Sequence, residues 1–236
     1  MKVVLSNLID HPINRIYTAA RTCYSNENPD IIFKESLNKT DEEMLKLIRH
    51  VLDSRHESVL EHISFTFYIS DVSRCMAMQL IRHRLNNFSM MSQRYCKLNK
   101  EDRFNYVTPN TVSKSENIGN IYSSFMEFAK DTYNKLIEAG VPAEDARYVL
   151  PEATCSNITM SVNLRQLIHI AGERRCNMAQ WEIRNLVNEM CKQVVDKLPF
   201  LKPYLVPKCE MLGYCPESKK RSCGRKPVKS EALNVK

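Results

Sequence analysis

The sequence predicts an α+β fold, with helices and a small sheet mixed in one domain, and three observations predict it. Met44, Leu47, Ile48, Val51 and Leu52 recur at the spacing of one helix face. Two short stretches, Ile63/Phe65/Phe67/Ile69 and Ile158/Met160/Val162, instead put an apolar residue at every second position, the period of a half-buried strand. Two long helical stretches, over 117–139 and 178–198, complete a pattern without internal repeats.

Taken in order, residues 2–5 read as a strand and 12–23 as a helix. Thr40-x-x-Glu43 has the form of a capping box, so a helix begins after Thr40 and ends near Arg55, just before HESVLEH. A strand over 62–70 follows, and Asp71 is placed to cap a helix reaching about Arg84. LNNFSMMSQ reads as a polar loop. The 117–139 helix is closed by Gly140, and Pro142 suits the first position of a short helix in AEDARYVL. Asn163 stands where a cap is expected between the second strand and a helix to about Arg175. The last long helix, over 178–198, buries Ile183, Val187, Met190 and Val194. The expected division is a main domain over residues 1–207 and an irregular, basic, cysteine-containing tail over 208–236.

Glycine is scarce, at five residues, and neither GxGxxG nor GxxxxGK[ST] occurs. A phosphate must therefore be gripped by side chains. No apolar stretch approaches a membrane span, and MKVVLSNLIDHPINR lacks an export signal. Nine cysteines in such a chain suggest reduced thiols and a cytoplasmic setting. The net charge is +7, but residues 217–236 hold seven Lys/Arg and two Glu, so most of the excess lies in the tail. That distribution makes a weak case for nucleic-acid binding.

Basic residues gather near element boundaries. Gln79-x-x-Arg82-His83-Arg84 is expected on one helical face, with Ser92-Gln93-Arg94 seven residues on. Guanidinium forks suit phosphate because they donate paired hydrogen bonds. Asn163-x-Arg165-x-x-x-His169 places Arg165 and His169 on one face, with Arg174 at the helix end. A buried arginine there needs a ligand or an acid, and Glu173 and Glu182 are candidates. Arg147 is a further basic position. His56-Glu57-Ser58-x-x-Glu61-His62 lacks the spacing of either zinc-protease motif, because Leu60 and Ser58 stand where histidines are needed, so no metal is expected. Cys209, Cys215 and Cys223 are one short of the four ligands zinc usually takes, and read as reduced thiols in a solvated tail.

Together these segments resemble the flavin-dependent thymidylate synthases. Arg82-His83-Arg84 to Ser92 is similar to that family's RHR(x)7S motif. HESVLEH is similar to its HE[ST]xxEH segment, ARYVLP to A-R-x-x-L-P, and NLRQLIH with AQWEIR to its later stretches, in family order over roughly residues 1–200. The resemblance implies an α+β catalytic domain forming a homotetramer, with active sites between subunits. It implies conversion of dUMP to dTMP using methylenetetrahydrofolate as carbon donor and FAD reduced by NADPH. Carried over, Ser58, Glu61, Arg82, His83, Arg84, Asn163, Leu164, Arg165 and His169 would contact FAD. Gln79, Arg82, Ser89, Met90, Met91, Ser92, Gln93, Arg94, Arg147 and Arg174 would hold dUMP, and His56 would line the flavin or folate region. Arg174 would activate the pyrimidine electrostatically, without a cysteine nucleophile. Met90 departs from the family pattern, which carries a hydrogen-bonding residue there. Two other readings remain: a basic nucleic-acid-binding protein, and a FAD- and nucleotide-binding relative that has lost methyl transfer.

Overall fold

The computed structural model describes residues 1–99 and 103–233. The last three residues of the basic tail lie outside the described residues. In chain order the elements are β1 (Lys2–Leu8), α1 (Pro12–Thr22), α2 (Pro29–Ser36), α3 (Asp41–Asp53), β2 (Ser64–Ser73), α4 (Arg74–Leu80), β3 (Asn87–Met90), α5 (Asn110–Ser113), α6 (Glu116–Glu138), α7 (Ala143–Ala146), β4 (Cys155–Asn163), α8 (Leu164–Arg174), α9 (Trp181–Lys197), α10 (Lys208–Leu212) and α11 (Lys229–Leu233). The strands form one antiparallel sheet in the order β1-β2-β4-β3, which makes the fold α+β. Among the described residues, no helix is long and apolar enough to cross a membrane.

Local chemistry sets several boundaries. At Thr40 the capping box is complete: Thr40 Oγ1 accepts from the Glu43 N–H, and the Glu43 carboxylate accepts from the Thr40 N–H. α6 ends in a Schellman turn. Gly140 adopts φ 84°, its N–H donates to Ile137 O, and the Val141 N–H donates to Leu136 O. In β2, Phe65, Phe67 and Ile69 are buried on alternate positions, each worth about 2–3 kcal/mol of apolar burial. The alternation then slips by one, because Val72 and Ser73 are also buried.

Asp71 causes that slip and corrects an expectation. It does not cap α4 but lies within β2 at φ 57°, a left-handed conformation that Asp tolerates better than most residues. Its N–H donates to Asn157 Oδ1 at 3.3 Å. The cap of α4 is Ser73, whose Oγ accepts from the Met76 N–H at 3.0 Å. α4 also stops at Leu80 rather than near Arg84. Arg82, His83 and Arg84 therefore follow the helix, and Gln79 does not share a helical face with Arg82 and His83. The expected polar loop contains β3, whose end is tied down by Met91 N–H donating to Asn157 O at 2.9 Å. Pro142 caps α7 instead of opening it. α2, begun by Asn28-Pro29-Asp30, was not anticipated. The tail is not irregular throughout: it carries α10, α11 and a parallel bridge between Cys215 and Val228.

The chain forms two compact units. The first comprises Met1–Val3, Tyr68–Arg84 and Phe88–Met160. Its core gathers Leu98, Phe104, Met126, Tyr133 and Ala146, with α6 packed against α5 and α7. The second comprises Val4–Phe67, Leu85–Asn87 and Ser161–Lys236. There α1 packs on α2 and α3, while α8 packs on α9, on α10 and on the turn over residues 57–62. All nine cysteines are free.

Candidate active site

In the second unit the site is built at the start of α8. Asn163 ends β4 in extended geometry, and its Oδ1 accepts from the Gln166 N–H at 2.9 Å, which starts the helix. The next N–H, of Leu164, donates to Ile63 O at 2.8 Å. That bond ties the helix start to the Glu57–His62 turn and brings two carboxylates to Arg165. Arg165 Nη1 donates to Glu61 Oε1 at 2.5 Å, and Nε lies 3.5 Å from Glu57 Oε2. The Glu61 hydrogen bond raises the Arg165 guanidinium above its ordinary range, so it stays cationic. The acids that hold Arg165 are therefore not Glu173 or Glu182. The pairing of Glu61 with Arg165 is a product of the fold, because the two are 104 residues apart in sequence.

Arg165 and His169 line a cavity of about 1120 Å³ together with Arg55, Glu57, Glu61 and Asn163. Arg55 reaches it from a left-handed residue, φ 57°, just past α3. Tyr204 stands on the rim, its hydroxyl donating to Asp53 Oδ1 at 2.8 Å. Burial, and then this bond to Asp53, push the Tyr204 phenol up to about 12.

The far end of α8 meets the tail. Gly172 leaves a notch there: a Cβ would stand 3.1 Å from Lys208 Cγ and 3.4 Å from Met211 Cε. The Lys208 stem runs through that notch and its ammonium pairs with Glu173. Burial pushes the Glu173 carboxyl up, but the Lys208 bond and charge outweigh it, with His169 and Arg174 adding to them, and the net shift is downward. Arg174 is half-buried and lines a second cavity of about 300 Å³. Its neighbour Arg175 is fastened elsewhere, to Asn188 Oδ1 at 2.8 Å and to Leu205 O.

The first unit holds a separate basic group. The Arg94 guanidinium forks onto Glu144 Oε2 through Nε at 3.0 Å and Nη2 at 2.8 Å, and Arg147 Nε donates to Glu144 O at 3.0 Å. One acidic residue thus gathers Arg94 and Arg147. Gln93 is buried, and its Oε1 accepts from Arg74 Nη1 at 3.1 Å. Its Nε2 is buried and finds no hydrogen-bond partner among the described residues. Ser92 opens a turn, its carbonyl accepting from the Tyr95 and Cys96 N–H groups.

Comparison with known proteins decides the family. The family model described as "Thymidylate synthase complementing protein" matches residues 4–200. A flavin-dependent thymidylate synthase of Geobacter sulfurreducens is 39% identical over 225 residues, covering 95% of this chain and 94% of its own. The chain belongs to the flavin-dependent thymidylate synthase family. A member from Nitratidesulfovibrio vulgaris is 38% identical, with 92% of each chain covered, and one from Pyrococcus abyssi is 36% identical, with 92% and 90% covered.

Among positions expected from resemblance to the flavin-dependent thymidylate synthases, Glu61, Asn163, Arg165 and His169 line the larger cavity. Ser58 and His56 are exposed at the neighbouring turn, and Leu164 is fully buried. Arg82 and Arg84 are exposed after α4, while His83 is half-buried. Gln79 is half-buried on α4, Ser89 is exposed and Met90 half-buried on β3, and Met91 packs on the first unit's core. Sequence reading missed Glu57, Arg55 and Lys208 in the second unit, and Arg74 and Glu144 in the first. Glu57 was visible within HESVLEH; the others carry no local signal.

Proposed function

We propose that this chain catalyses the reductive methylation of dUMP to dTMP, with methylenetetrahydrofolate as carbon donor and FAD, reduced by NADPH, as cofactor. Beyond family membership, one observation carries the reading. A capped helix start presents Arg165, steadied by two carboxylates, to a cavity of about 1120 Å³. Ligand pockets commonly span roughly 300–1,000 Å³, so the space suits a dinucleotide. The donor set fits too: Arg55, Arg165, His169 and Lys208 can meet phosphate oxygens, and the Asn163 amide can meet a polar ring edge.

On this reading Ser58, Glu61, Arg82, His83, Arg84, Asn163, Arg165 and His169 hold FAD, Leu164 anchors the helix start, and His56 lies toward flavin or folate. When bound, reduced flavin supplies the hydride and handles the one-carbon unit, chemistry that no side chain offers. Gln79, Arg82, Ser89, Met90, Met91, Ser92, Gln93, Arg94, Arg147 and Arg174 hold dUMP. The unpaired Gln93 amide supports this, because a buried donor without a partner costs about 1–3 kcal/mol that a ligand can relieve. Arg174 stabilises negative charge on the pyrimidine, so no cysteine need add to the ring. Met90 gives up one hydrogen bond to the substrate.

We propose the assembly as a homotetramer with active sites between subunits. One face of α6 supports it: Ile118, Ile121, Phe125 and Phe128 are 50%, 65%, 57% and 69% exposed at helical spacing. The setting is proposed as cytoplasmic, in keeping with nine free thiols. The test is to supply the purified protein with FAD, dUMP, methylenetetrahydrofolate and NADPH without oxygen. Flavin colour is expected before NADPH is added, and dTMP after it. Colour without dTMP would favour a relative that has lost methyl transfer. A protein that binds no FAD and instead binds nucleic acid would overturn the reading.

A further inference from the structure

Sequence spacing leaves the tail with three cysteines and no fourth ligand. The fold brings a fourth cysteine to the cavity that these three line. Cys176 lies on the link between α8 and α9, and the returning tail sets Cys209, Cys215 and Cys223 around the same cavity of about 300 Å³. Cys209 and Cys215 are 7% and 8% exposed, and Cys176 and Cys223 are half-buried. Cys209 is within electrostatic reach of both Cys176 and Cys223. The other five cysteines do not line this cavity.

The chain around these thiols is fastened in ways a solvated tail would not need. Arg225 Nη2 donates to Asn177 Oδ1 at 2.9 Å, tying the Cys223 turn to the Cys176 link. Lys226 pairs with Glu210 at 3.5 Å, next to Cys209. The Cys215 N–H donates to Pro227 O at 2.7 Å, and its carbonyl accepts from the Lys229 N–H at 3.2 Å. Gly213 and Gly224, at φ 76° and 78°, turn the chain between successive cysteines and just after the last.

Charge makes the same point. Arg174, Lys208, Arg221, Arg225 and Lys226 line the cavity, against the two acids Glu173 and Glu217. Lys208 and Lys226 are paired with Glu173 and Glu210, which leaves Arg221 and Arg225 as further cations beside the thiols. A divalent metal bound by four thiolates is a dianion, and this wall would neutralise it.

We propose that Cys176, Cys209, Cys215 and Cys223 form a tetrahedral zinc(II) site that fastens the C-terminal tail to the end of α8. Four thiolates and no open position define a structural site, and soft sulfur ligands select zinc over hard cations. Binding is not a redox step: each thiol loses its proton to solvent as its sulfur bonds the ion. Among the described residues no three such groups stand at metal-ligand spacing, so the ion draws the sulfurs in. With zinc–sulfur bonds of about 2.3 Å, they close to about 3.8 Å from one another. Binding and tail ordering are therefore coupled.

The experiment uses the full chain, purified with a non-thiol reductant and loaded with zinc(II) or cobalt(II). We expect one zinc per chain by elemental analysis, and with cobalt the intense visible bands of tetrahedral thiolate coordination. Cys176→Ser should weaken binding by about a hundredfold or more, since it removes a ligand outright. Cys23→Ser, an exposed thiol away from the cavity, should leave it unchanged. If Cys176→Ser misfolds, Cys223→Ser on the half-buried turn gives the same reading. Substoichiometric zinc, a cobalt spectrum indifferent to both variants, or a disulfide among these four cysteines under the same reducing conditions would overturn the proposal.

Discussion

Removing the two strand-to-helix caps should destabilise the protein unequally. Ser73 and Asn163 do the same local work, each accepting the N–H three residues on, at 3.0 and 2.9 Å. Their surroundings differ. Ser73 is 3% exposed, so Ser73→Ala leaves the Met76 N–H in the core without water to replace the lost oxygen. Asn163 is half-buried on a cavity wall, where water can reach the Gln166 N–H after Asn163→Ala. Cap deletions cost about 0.5–2 kcal/mol; the buried case belongs near 2 and the wetted case near 1. At about 2–4 °C per kcal/mol for a chain of this size, Ser73→Ala should lower the melting temperature by roughly 4–8 °C and Asn163→Ala by roughly 2–4 °C. Circular dichroism melts of the ligand-free protein measure both, with Ser73→Thr and Asn163→Asp as cap-preserving controls. Equal losses, or a larger loss at Asn163, would show that burial does not set the cost.

Arg174→Ala should retain FAD but lose dTMP formation by about a hundredfold or more, with Arg174→Lys recovering only part because it lacks the planar fork; flavin content and single-turnover product measure this, and near-normal product formation would refute the assigned role. The Glu173–Lys208 pair should be pH-sensitive. Glu173 is held below its ordinary value in the folded chain, so its contribution is complete above the usual carboxylate range and is lost as pH falls through the lowered value. Glu173→Gln should therefore melt below wild type at neutral pH and converge with it in acid, whereas a constant gap would contradict the pairing. Charging the exposed stripe of α6 with Phe125→Glu and Phe128→Glu should leave helix content unchanged but reduce the mass seen by light scattering, and an intact tetramer would exclude that face from the assembly.

Legibility followed range. The capping box at Thr40, the Gly140 turn and the Asn163 cap depend on residues three to five apart, and all were readable. The end of α4 was not. Ile81-Arg82-His83-Arg84 contains no Gly or Pro, yet the helix stops at Leu80 and the chain next enters β3. β3 does alternate, Asn87 and Ser89 with Phe88 and Met90, but four residues are too few for that period to separate a strand from a polar loop, and pairing in the sheet completes it. Asp71 reads as a helix cap, but it lies within β2 in a left-handed conformation and Ser73 caps the helix. At the site, the basic residues were found because their spacing is local. The pairings that hold them were not legible, because Glu61 and Glu144 stand far away in sequence from Arg165 and Arg94. Cys176 escaped notice for the same reason, standing apart from the tail cysteines.

The notch at Gly172 carries a practical lesson for handling the protein. Because α8 lacks a side chain at that position, the Lys208 stem lies directly on the helix turn that leads into Glu173 and Arg174. The tail is thus coupled mechanically to the residues next to it, with no cushion between them. A tag, surface anchor or fluorescent fusion attached behind residue 233 is expected to load that coupling more than one placed before β1. Immobilised preparations should accordingly be joined through the amino end, and a loss of turnover on carboxyl-end attachment should be traced to this lever before any defect of chemistry is inferred.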